Sequence, residues 1–177
     1  TDQTLLPFWP GKQAAGLQRP LAISWAWPLI DQPHHQVCST ASNTTVSALT
    51  NNALAASLSR GGRLSDLLTA GQAHADADLT WVVDPALLSD VAAMTRPYRS
   101  GSGLGCTGLT GQPASKAATT WLAGLRAVTS VQPTVITPYA NVDISALVHR
   151  GLEADLSRAY TTGRTVADDV LHGSFGP

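Results

Sequence analysis

Leu79-Thr80-Trp81-Val82-Val83-Asp84-Pro85-Ala86-Leu87-Leu88 runs a short apolar, β-branched stretch straight into a helix start. Asp84 stands where an N-cap belongs and Pro85 at the first helical position, where its missing N–H costs nothing. Leu87, Leu88, Val91 and Met94 then recur on one helical face. The rhythm of apolar run, proline turn and helical spacing occurs twice more. Leu21 to Trp27 leads into Pro28, and Thr134 to Thr137 leads into Pro138. Three such units predict an α/β chain, a partial parallel (β/α) barrel-like domain with three clear strands and several helices.

Around these units, residues 1–20 hold Pro7, Pro10, Gly11, Gly16 and Pro20 without periodicity and read as an extended lead-in to a β/α domain over 21–177. Asp31 to Asn43 reads as a polar loop. Leu49, Leu54 and Leu58, then Leu64, Leu67 and Leu68 after a glycine break, predict two helices, with Gly71 as a helix stop. Arg96 to Gln112 carries five glycines and predicts a mobile loop. A helix is expected from about Ala114 to Thr129, and further helices closed by glycines at 151, 163 and 173.

The chain has 177 residues, 44% hydrophobic and 13% charged, enough for one core without metal or disulfide support. A formal net charge of -1 and only two lysines, Lys12 and Lys116, argue against nucleic acid as a partner. No stretch approaches the roughly 20 apolar residues of a membrane span, so any signal or anchor is expected outside these residues. Cys38 and Cys106 both fall after strands and are expected on one face. A disulfide between them, and with it an oxidising compartment, is the expectation; two separate buried thiols are the alternative.

Loops at the carboxyl ends of parallel strands are where such folds place ligands. That face is expected to gather Trp25, Trp27, His34, His35, Tyr139 and Asn141 as ligand-binding residues, with Asp31, Asp84 and Asp143 as weak catalytic candidates. Aromatic rings beside carboxylates and amides suit a sugar, which offers an apolar face and hydroxyls. Two of the aspartates could serve as the acid and base of glycoside hydrolysis, but local capping explains Asp84 and Asp143, and an Asx turn explains Asp31. The chain's single glutamate, Glu153, lies in a helix pattern. The histidines lack ligand spacing, so neither a metal nor another cofactor is expected.

The segments Leu21 to Asp31, Thr80 to Leu88 and Pro138 to Asp143 resemble a family of actinobacterial, including mycobacterial, cell-envelope proteins often encoded beside the lipid II flippase MurJ. The resemblance spans most of residues 20–172. It implies an extracytoplasmic domain within a longer, membrane-anchored chain, and a link to peptidoglycan assembly. It carries over no catalytic residue. The strand ends also resemble, more distantly, the barrels of polysaccharide deacetylases and some glycoside hydrolases. Here the deacetylase Asp-Asp pair and its two histidines four apart are missing. The expectation is therefore a non-catalytic module that binds a glycan, a precursor or a membrane protein of cell-wall assembly. The alternative is a glycan-active hydrolase or deacetylase-like enzyme whose catalytic residues lie partly beyond Pro177.

Overall fold

The computed structural model describes residues 23–39 and 44–175, so the lead-in expected over 1–20 lies outside the described residues. In chain order the elements are β1 (Trp25–Leu29), β2 (His35–Ser39), β3 (Thr45–Leu49), α1 (Ala53–Leu58), α2 (Arg63–Ala73), β4 (Leu79–Val83), α3 (Pro85–Met94), β5 (Tyr98–Ser100), β6 (Thr110–Gln112), α4 (Lys116–Thr129), β7 (Thr134–Ile136), a 3-10 turn (Tyr139–Asn141), α5 (Ile144–His149) and α6 (Glu153–Leu171). The fold is mixed α/β with two sheets.

The three expected strands form the first sheet, all parallel, in the order β1-β4-β7. Among the described residues this sheet is open and does not close into a barrel. Its first strand ends at Leu29, past the expected Trp27, and accommodates Pro28 because β1 is an edge strand. One face is packed. Leu29, Leu79, Trp81 and Val83 are buried in an apolar cluster completed by Leu54, Leu64, Leu88, Leu125 and Leu171 from the surrounding helices. The other face, through Ala26, Pro28, Thr80, Val82 and Val135, is half-buried or exposed.

Tryptophans fix the helices to this core by their one polar atom. The Trp27 indole N–H donates to Leu67 O at 3.0 Å and that of Trp121 to Leu64 O at 2.9 Å, both on α2. Gly71, expected as a helix stop, lies inside α2 and is buried. A Cβ there would come within 2.3 Å of the Trp81 ring, so glycine is what lets helix and strand approach. Gly163, expected as another stop, lies within α6, where a Cβ would stand 3.0 Å from Pro85 Cγ and 3.1 Å from Thr137 O.

The second sheet, β2-β3-β5-β6, occupies stretches expected as loops or helix. β2 lies in the polar loop, β3 takes the start of the first helix pattern, and β5 and β6 bracket four of the five glycines. Those four occupy the connection, while Gly111 lies within β6 opposite Arg99, and the strands pair from Tyr98↔Gln112 to Ser100↔Thr110. The connection is tied back to β2 by the Cys38–Cys106 disulfide. Gln36 adds hydrogen bonds to Cys106 N at 3.2 Å and to Leu49 O and Gly103 O, each at 3.3 Å.

Candidate functional site

At the carboxyl end of β4, Asp84 is fully buried and caps α3. Its Oδ1 accepts from Ala86 N at 2.9 Å, the expected first-turn donor, and from Ala140 N at 3.1 Å. The second bond locks the 3-10 turn after β7 over the end of β4. Ala140 and Asn141 hold positive φ there, at 60° and 45°, a conformation for which asparagine is well suited.

Asp90, on α3, is also buried, and its Oδ2 accepts from His34 N at 2.9 Å. Its Oδ1 lies 4.0 Å from His35 Nδ1. Asp90 thus holds the segment linking the two sheets. Among the described residues the buried atoms His34 Nδ1, Asp84 Oδ2 and Asp90 Oδ1 find no hydrogen-bond partner. Desolvation raises the pKa of both aspartates above the usual carboxylate value of 3.8, more than the backbone N–H groups lower it.

The remaining strand-end carboxylates are also engaged. Asp31 accepts from Gln32 N at 2.9 Å and pairs with Arg63 at 3.3 Å, and Arg63 also donates to Ile30 O. Asp143 caps α5 by accepting from Ala146 N at 2.9 Å. Each of the three aspartates thus has a local structural partner, and Asp84 alone is shut off from solvent. His34, expected as a binding residue, is buried. His35, Tyr139 and Asn141 remain accessible at this end.

Trp25 and Trp27 are placed differently from the expectation. β1 begins at Trp25, which pairs with Leu79 at the start of β4, so the Trp25 ring stands at the amino end of the sheet. The expectation failed because the strand runs two residues farther, to Leu29. With His74, Ala77 and Leu79, the two tryptophans line a depression of about 200 Å³. Asp90 escaped the sequence reading, although a carboxylate between Leu87 and Val91 on an apolar helical face is a visible signal. Among the described residues no three His, Cys, Asp or Glu side chains are arranged to hold a metal ion, and no helix is long and apolar enough to cross a membrane. No known protein family, curated protein or solved structure matches the chain.

Proposed function

We propose that this protein is a non-catalytic binding module of the bacterial cell envelope, acting outside the cytoplasmic membrane in peptidoglycan assembly. In this reading the chain is anchored by segments beyond these residues, and the rim carrying His35, Tyr139 and Asn141 receives a glycan, a precursor or a membrane protein of cell-wall assembly. The observation that carries the non-catalytic reading is the engagement of Asp31, Asp84 and Asp143 in an ion pair and two helix caps. The disulfide supports an oxidising compartment. The envelope and peptidoglycan assignment rests on the resemblance of the three strand-end segments.

The parallel strands follow one another in chain order, unlike a doubly wound sheet, where the order reverses and helices cover both faces. This order, with one face packed and the other left half-open, supports the barrel-like reading of the sheet as a section of a barrel wall.

The test is cosedimentation of the oxidised protein with purified peptidoglycan sacculi, with reducing ends and acetate assayed in the supernatant. The expected result is binding without release of either, unchanged by Asp84→Asn. Failure to bind sacculi would overturn the peptidoglycan reading. Release of reducing ends or acetate that Asp84→Asn abolishes would replace it with the enzyme reading.

A further inference from the structure

We propose that the amino end of the parallel sheet is a saccharide-binding platform for neutral or amine-bearing sugars, built on Trp25. The proposal rests on the binding-module reading and gives it a ligand class and a surface opposite the strand-end rim. Trp25 is 56% exposed at the first position of β1, a large ring offered to solvent beside the half-buried Trp27. An apolar ring face held in the open matches the C–H face of a pyranose.

Beside this apolar depression lies a second, polar one of about 580 Å³, and the two share Ala77 and Leu79. The second is lined by Ser24, Thr80 and Gln132 and by the exposed carboxylates Asp76 and Asp78. Ser24 and Thr80 alternate with Trp25 and Leu79 along the chain, so the polar groups lie round the rim from the aromatic face, and an oligosaccharide longer than one ring would meet a stacking surface and hydrogen-bond partners in turn.

The platform is preformed. Trp25 N donates to Asp78 O at 2.8 Å, Ala77 N to His74 O at 3.0 Å, and the Trp27 indole to Leu67 O. Gln132 accepts from the Trp81 indole and donates to Ala75 O at 3.2 Å, bracing the 74–78 turn against the start of β7. A surface held this way loses little conformational entropy on binding. The ligand class follows from charge. Among the described residues neither depression is lined by lysine or arginine, while two carboxylates face the polar one. An anionic sugar or a phosphate would meet repulsion from those carboxylates.

The experiment is calorimetric titration of the oxidised protein with chitotriose, a neutral oligomer of N-acetylglucosamine, and in parallel with trigalacturonate, an anionic trisaccharide. The expected result is saturable binding of chitotriose only, weakened at least tenfold by Trp25→Ala and left unchanged by Leu104→Ala, at an exposed position outside both depressions. Circular dichroism of Trp25→Ala checks that it folds, and Trp25→Phe, which keeps a ring, should restore part of the affinity. No saturable binding of chitotriose, binding that Trp25→Ala leaves intact, or equal binding of trigalacturonate would overturn the proposal. Sacculus cosedimentation of the same proteins separates the two readings: sacculi bound with chitotriose ignored removes this platform alone, while loss of both removes the peptidoglycan reading as well.

Discussion

The parallel sheet buries Leu79, Trp81 and Val83 in a core fed by helices from both of its crossovers, whereas most strand residues of the second sheet remain at least partly open to solvent. The first is held by area removed from water. The second contributes Leu49 and the half-buried Tyr98 to that core and is further closed by links between distant positions: the disulfide, the Gln36 amide, and the grip of Asp90 on His34 N. Burial spreads stability over many small contacts. Cross-links concentrate it, so the second sheet should fail by the loss of one bond.

The largest expected effect breaks that contrast directly. Reduction, or Cys38→Ser with Cys106→Ser, releases a bridge between residues 68 apart, worth about 4 kcal/mol in the chain-entropy model. Thermal melting should fall markedly. Hydrogen exchange should show β2, β3, β5 and β6 losing protection before β4 and α3 do. Equal loss in both sheets would mean they unfold as one unit and the contrast is wrong.

The next effect tests the buried side. Gly71→Ala drives a Cβ into the Trp81 ring, and overpacking of this kind costs roughly 1–3 kcal/mol by urea denaturation. At an exposed helical site the same change would stabilise by about 0.5–1 kcal/mol, so the sign alone reads the contact.

The smallest effect concerns the buried carboxylates Asp84 and Asp90. Asp84→Ala should lose roughly 0.5–2 kcal/mol, whereas Asp84→Asn still caps and should cost little. The folded protein binds protons at Asp84 and Asp90 more tightly than the unfolded chain does, because burial raises both values above 3.8. Their contribution to stability therefore grows as pH falls through the raised pKa values toward that figure, and is lost as pH rises. Asp84→Asn removes its share of this dependence. Urea midpoints at pH 7 and pH 4.5 should therefore show the variant gaining less on acidification than the wild type.

The same contrast governs what could be read from the amino-acid order. β4 and α3 were legible because Asp84-Pro85 marks the boundary and the apolar periods change across it. The caps of Asp84 and Asp143 were legible for the same reason, being local. β5 and β6 are three residues each, and their pairing is set by a register formed across the glycine connection, so no local period announced them. Gly71 and Gly163 look like helix stops when only their own helices are considered. Their purpose is set by Trp81 and by the Pro85 and Thr137 segments, far away in sequence. Trp25 was assigned to the carboxyl end and stands at the amino end, since a shift of strand boundary moves a side chain from one rim to the other.

Pro28 gives the parallel sheet a direction. Trp25 N donates to Asp78 O, and Leu29 O accepts from Asp84 N, so these alternate residues of β1 turn their peptide groups toward β4. The intervening Pro28 sits where an N–H would point away from the sheet, and it has none to offer. A strand arriving beside β1 would meet an interrupted ladder, which discourages association of two molecules along that border. β7, Thr134-Val135-Ile136, contains no proline. Any enlargement of this sheet, within one polypeptide or between two, is therefore favoured on the β7 side.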